Sequence, residues 1–120
     1  MLIYEFYSVI GDEITYRIAL LLARYTLSVG EISRALNLPQ PQTSHKLAKL
    51  RRHECVSFYR SKQRVLYSLR DPCRTIILRG DKLWRQLKPE FRNIWSKDLA
   101  RLKEMLKKEL DARVLTPIVE

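Results

Sequence analysis

Gln40, Gln42, Ser44 and His45 lie within six residues, and Lys46, Lys49, Arg52, Arg60, Lys62 and Arg64 occupy the next nineteen. Amides, a hydroxyl and an imidazole can donate and accept hydrogen bonds, whereas ammonium and guanidinium groups are fixed charges suited to phosphate oxygens. This mixture suits a polyanion that also presents hydrogen-bonding edges. The charge is concentrated in the same place: residues 40–70 hold eight Lys/Arg against one Asp/Glu, which is seven of the net +10. Such a local surplus is the electrostatic footprint of nucleic-acid contact. A solvated basic face, a membrane surface or an acidic protein would use the same surplus.

Other chemistries find less support. Neither His45 nor His53 has a nucleophile or paired carboxylate at useful spacing, and there is no glycine-rich phosphate loop or cluster of metal ligands. No enzyme, cofactor or metal site is expected. Cys55 and Cys73 provide no disulfide framework, which suits a reducing, cytoplasmic setting. They bracket a hairpin that brings them near one another, so they are also the candidate redox pair; the commoner use of such a cysteine is as a small buried residue. The longest apolar run, "IALLLA" at 18–23, is far short of the roughly 20 residues of a membrane span.

The 120 residues amount to one domain with a helical extension. Leu2, Ile3, Phe6, Val9 and Ile10 share one helical stripe ended by Gly11. Asp12 then caps a helix whose Ile14, Ile18, Leu21, Leu22 and Tyr25 form one buried face. Ser28 and Glu31 form a capping box for a short third helix that stops at "NLP". Pro41 in a first turn predicts a fourth helix to about residue 53, with Thr43, Leu47 and Leu50 inward and the hydrogen-bonding residues outward. "VSFYR" and "VLYSL", joined by "SKQR", read as a hairpin. Asp71-Pro72 should start a further helix and Gly80-Asp81 break it. Pro89 should start or kink a last helix carrying Phe91, Ile94, Trp95, Leu99, Leu102, Leu106 and Leu110.

Two short helices, the second with a polar basic outer face, followed by a basic hairpin predict a mainly α winged helix-turn-helix with a small β-hairpin. Residues 10–69 resemble the ArsR/SmtB family of transcriptional repressors. Shared with the family's usual pattern are Gly11-Asp12, Arg17-Ile18, Leu27 to Ile32, Gln40-Pro41, Ser44-His45, Leu47, Leu50, Val56 and Tyr67-Ser68-Leu69. The resemblance implies a homodimer on an inverted repeat of double-stranded DNA, with Gln40, Gln42, Ser44 and His45 toward the groove. Lys46, Lys49, Arg52, Arg60, Lys62 and Arg64 are then the phosphate candidates. Pro39, Thr15 and Lys62 depart from the family's usual serine, arginine and glycine.

The family's thiol metal motif is replaced here by "LSVGEI", with Ser28 and Gly30 at the cysteine positions, and the C-terminal helix has no histidine. Neither known metal-sensing site is expected, and Asp98 and Glu104 read as surface charges. No inducer is named by these residues. The expected layout is a DNA-binding domain over 1–88 (helix-turn-helix 28–53, wing 56–69), a dimerisation helix over 89–112 and a tail over 113–120. The expected dimer contacts are Phe6, Phe91, Ile94, Trp95, Leu99, Leu102 and Leu106. The alternative is a winged-helix protein-interaction module that has lost DNA readout.

Overall fold

The computed structural model describes residues 1–116, which form six α-helices and a three-stranded antiparallel sheet; 117–120 of the expected tail lie outside the described residues. The first helix, α1 (Ile3–Val9), buries Phe6 and Val9 but leaves Leu2 and Ile3 exposed, so only part of its expected stripe faces inward. In α2 (Glu13–Leu22), the Asp12 carboxylate accepts from the Thr15 amide and hydroxyl, both at 3.0 Å. Ile18 to Ala23 are buried without interruption. The expected single buried face is thus too narrow a reading: α2 is the central helix.

Two helices and a sheet surround it. Ser28 accepts from the Glu31 amide at 3.2 Å while the Glu31 carboxylate accepts from the Ser28 amide at 2.9 Å, the reciprocal box that starts α3 (Val29–Leu36). Asn37 ends α3 in the left-handed conformation, φ 57°, a role to which its short polar side chain is suited. Next, α4 (Gln40–Arg52) begins after Pro39 with no side-chain cap, as expected from the missing serine, and buries Thr43, Leu47 and Leu50. The hairpin is β2 (Val56–Ser61) and β3 (Arg64–Leu69), in the register Val56↔Leu69 to Ser61↔Arg64. A two-residue strand, β1 (Leu27–Ser28), adds to the other edge of β3 in the order β1-β3-β2. It was too short to register as a strand in the sequence.

The C-terminal half departs further from expectation. Asp71 is not the residue adjoining the helix: α5 (Cys73–Leu87) begins after Pro72, and the Asp71 carboxylate accepts from the Thr75 amide at 2.9 Å. Gly80 does not break α5. A glycine costs about 1 kcal/mol in a helix, less than the roughly 1.5–3 kcal/mol from burying a side chain such as Ile77, and Asp81 is pinned by Arg85 at 2.9 Å. Pro89 starts only a 3₁₀ turn (Pro89–Phe91), and the last α-helix, α6, runs from Ser96 to Leu106. Phe91, Ile94 and Trp95 therefore precede α6 instead of extending its stripe.

Rather than standing off the domain, α6 packs against α3 and buries Leu102 and Leu106. A 3₁₀ helix (Lys107–Arg113) follows, and its end pairs with the chain after α2: Thr26 N donates to Arg113 O at 2.8 Å and Leu115 N to Arg24 O at 2.9 Å. Arg113, assigned to a tail, is buried. Its guanidinium donates to Glu31 at 2.8 and 3.0 Å, to Thr26 O at 3.1 Å and to Glu109 at 2.8 Å. Asp98, read as a surface charge, is also buried; it accepts from Arg17 at 2.7 and 2.9 Å and from Arg101 at 2.8 Å. The same guanidiniums donate to the last carbonyls of α3, Arg17 to Leu36 O at 2.9 Å and Arg101 to Ala35 O at 2.7 Å. The C-terminal segment holds α3 at both ends. Among the described residues no helix is long and apolar enough to cross a membrane.

Burial would raise the Glu31 carboxyl above its ordinary value, but the hydrogen bonds from Arg113 and the Ser28 amide, with the Arg113 and Arg64 charges, outweigh it and hold it below 4.5. A depressed carboxylate contributes stability above its unfolded value that is lost as pH falls through the folded one. Glu31→Ala leaves the Arg113 charge buried beside only Glu109 and is expected to cost about 3 kcal/mol in urea unfolding. Glu31→Gln should make unfolding free energy fall less steeply as pH drops below the ordinary glutamate value of 4.5. An unchanged slope would remove Glu31 from the acid response.

Candidate nucleic-acid interface

Burial of Thr43, Leu47 and Leu50 fixes the rotation of α4 and turns its other side to solvent. Gln40, Gln42, Ser44, His45 and Arg52 are all exposed. At the C-terminal end of α4, Arg51 stacks over the Phe58 ring at 4.0 Å and Phe58 meets Tyr67 at 6.0 Å, which seats the wing against the helix. The hairpin turns at Lys62, where φ is 58°. This left-handed geometry costs a residue with a Cβ about 1–2 kcal/mol, which accounts for the family's preference for glycine there. Lys62 and Arg60 are exposed at this tip.

The six phosphate candidates are not equivalent. Lys46 and Lys49 are half-buried, their Nζ atoms 3.4 and 3.6 Å from the Asp12 carboxylate. Burial acts to raise the Asp12 carboxyl, but the Thr15 hydrogen bonds and Lys46 reverse this and bring it to about 2, so it remains charged. Arg64 turns away from the wing tip: its guanidinium lies 3.1 Å from Glu31 and 3.8 Å from Glu109. It joins the buried cluster at the start of α3. Arg64 itself stays exposed, as do Arg52, Arg60 and Lys62, the candidates outside these carboxylate pairs. The roles of Arg64, Arg113, Arg17, Asp98 and Arg101 were not legible, because the partners that define them lie 33 to 82 residues away: Arg64 with Glu31, Arg101 with Ala35 O, Arg17 with Asp98 and Arg113 with Glu31.

Of the expected dimer contacts, Phe6, Leu102 and Leu106 are buried within the chain itself and have no surface for a partner. Trp95 and Leu99 are half-buried, with Arg24 over the Trp95 ring at 4.9 Å. Phe91 and Ile94 are exposed, together with Leu2, Ile3, Tyr4 and Tyr7 of α1 and Leu83, Trp84 and Leu87 of α5. No group of three or more His, Cys, Asp or Glu residues placed to hold a metal occurs among the described residues.

An exposed donor-rich helix held in a helix-turn-helix, with a wing carrying cations at its tip, defines a winged-helix DNA-binding regulator. The family model for bacterial regulatory proteins of the arsR family matches residues 12–57. Reduced HlyU from Vibrio cholerae is similar at 31% identity over 68% of this chain and 82% of that chain, with a TM-score of 0.56. NolR from Sinorhizobium fredii is similar at 27% identity over 64% of this chain and 77% of that one, TM-score 0.60. The transcriptional repressor BigR from Xylella fastidiosa shares the fold at 17% identity, covering 72% of this chain and 86% of that one, TM-score 0.63. No curated protein sequence matches. The chain belongs to the arsR family and is a DNA-binding transcriptional regulator.

Cys55 and Cys73 are both buried free thiols. Burial, then the hydrogen bond and charge of the neighbouring Cys73, push the Cys55 thiol up to about 12. Since the thiolate is the reactive form, Cys55 should resist alkylation in the native state. Iodoacetamide at about pH 8 is expected to label Cys55 only in denaturant; rapid native labelling, read by mass spectrometry, would reverse that assignment.

Proposed function

We propose that the protein is a cytoplasmic, dimeric repressor that grips an inverted repeat through α4 and the wing of each copy. The continuous exposed surface from Gln40, Gln42, Ser44 and His45 to Arg52 and the wing tip supports this reading. The amides, Ser44 and His45 take base edges or nearby phosphates, while Arg52, Arg60 and Lys62 take phosphates. Lys46 and Lys49 contribute by exchanging Asp12 for a phosphate. Arg64 positions the wing.

The dimer contact is assigned to the exposed faces of α1 and α5, in place of residues 89–112. Ile76, Gly80, Leu83 and Leu87 recur at helical spacing along α5, and a Cβ at Gly80 would meet nothing within 4 Å. A stripe of that kind allows a second helix to approach closely.

Selection from a random duplex pool should enrich an inverted repeat, and anisotropy should show steep salt dependence. Failure to enrich any sequence would favour the protein-interaction module. Lys62→Gly is expected to flatten the log Kd against log salt slope by about 0.9 while leaving the fold as stable or about 1 kcal/mol more so. An unchanged slope removes Lys62 from the phosphate contacts.

Leu83→Glu with Leu87→Glu should shift sedimentation from twice the 14.3 kDa chain mass to the chain mass. It should also weaken full-site binding at least about a hundredfold through lost bivalency. A persistent dimer would place the contact elsewhere.

A further inference from the structure

Between α2, α5, the segment after Pro89 and α6 lies a cavity of about 430 Å³, within the range of small-molecule sites. Its apolar wall is aromatic: Tyr16, Trp84, Phe91 and Trp95, with Trp84 and Phe91 stacked at 6.3 Å and 18°. Its polar wall contains two buried aspartates, each bracketed by two arginines. Asp98 holds Arg17 and Arg101 at 2.7 and 2.8 Å, and Asp81 holds Arg85 and Arg24 at 2.9 and 3.7 Å. Each cluster therefore carries one positive charge beyond its carboxylate. Lys97 and Glu13 also line the cavity, and the Glu13 charge acts on Arg17. Behind this wall, Arg24 Nε is the one buried side-chain nitrogen or oxygen among the described residues without a hydrogen-bond partner.

We propose that this cavity binds a small planar aromatic carboxylate, its ring against Trp84, Phe91 and Trp95 and its carboxylate toward the arginines. The aromatic walls select a flat apolar body, and the net positive charge of the lining, Arg17, Arg85, Lys97 and Arg101 against Glu13, Asp81 and Asp98, selects an anion. A cation would face the same surplus without compensation.

The site is wired to the reading head. Arg17 and Arg101 also donate to Leu36 O and Ala35 O, the carbonyls immediately before the turn into α4. A carboxylate that draws either guanidinium toward the cavity changes the support of that turn. This consequence rests on the DNA-reading role proposed above for α4; the binding itself does not.

The two tryptophans of the chain both line the cavity, so intrinsic fluorescence reports occupancy directly. Naphthoate, naphthylmethylamine as its ammonium, and naphthalenemethanol are titrated into the full chain without DNA, by calorimetry and by fluorescence. Naphthoate is expected to bind on the order of tenfold more tightly than the other two. Arg85→Gln should weaken it about tenfold and the exposed Lys97→Gln about threefold, with unchanged circular dichroism. Equal or better binding of the ammonium, no binding of naphthoate, or full affinity in both variants overturns the proposal. Fluorescence indifferent to naphthoate in a dimeric sample also overturns it, since a second copy then covers the cavity. Anisotropy on the selected duplex is then measured with and without naphthoate. A shift of at least about threefold in Kd supports the coupling, and no shift overturns it. Naphthoate binding in a protein that selects no DNA sequence leaves the site standing and removes the proposed function.

Discussion

The Glu31 carboxylate is the constraint around which the helix-turn-helix is assembled. As the third residue of α3 it accepts the Ser28 amide, and it is buried with a side-chain exposure of 3%. A charge so placed needs partners, since an unpaired buried carboxylate costs several kcal/mol or more. Arg113 supplies a two-pronged guanidinium from the far end of the chain and Arg64 a further one from the wing. The start of α3, the wing and the C-terminal segment thus share one electrostatic anchor. At the other end of α3, Asp98 organises Arg17 and Arg101 against the terminal carbonyls, where positive charge also complements the helix dipole. The reading helix follows three residues later, so its orientation inherits this double attachment.

The same electrostatics redistributes the basic surplus. The sequence presents ten net positive charges, yet much of the cationic complement belongs to internal pairs. Arg64 is bound to Glu31, and Lys46 and Lys49 are close to Asp12. A phosphate replacing Asp12 at Lys46 or Lys49 exchanges one anionic partner for another, which contributes less than filling an empty site. Arg52 and the wing tip instead meet phosphate from water. The surface therefore separates cations that hold the wing from cations that can release counterions on DNA.

Local signals in the helix-turn-helix and wing were read from the sequence correctly; the break at Gly80 and the long-range contacts were not. The Ser28–Glu31 box, the Asp12 cap, the inward Thr43, Leu47 and Leu50 and the hairpin all depend on residues within a few positions of one another, where spacing alone sets geometry. The C-terminal half misled for the same reason. Phe91 to Leu110 has a helical apolar period, but Pro89 and the 3₁₀ turn divert the first part of it, and only from Ser96 does the chain become helical. Period identifies an apolar face without identifying what covers it. For Leu102 and Leu106 the cover is this chain's own α3, not a second subunit. Asp98 read as a surface charge, and the partners of Arg17, Arg101 and Arg113 went unmarked, because no local pattern marks a partner many residues away.

A further dependency follows from the capping box. A glutamate at this position is chosen for its reach to the Ser28 amide, and in an exposed helix start water would solvate its second oxygen. Here the 107–113 segment covers the helix start, so water is excluded and a cation must replace it. An apolar residue at 113 would pack the same volume but strand the carboxylate; an apolar residue at 31 would relieve the charge but remove the cap. The pair is therefore fixed jointly, and its contribution is better described as register than as net stability, since a paired charge often does no better than a hydrophobic substitute. One docking of the C-terminal segment satisfies Glu31, Glu109 and Thr26 O together. A slide of one residue would break the contacts to Glu31 and Thr26 O, whereas the Arg113–Glu109 pair lies within the segment and would move with it. That register also places Asp98 beside Arg17, so the cavity walls and the α3 cap are set by an ion pair formed at the opposite end of the same helix.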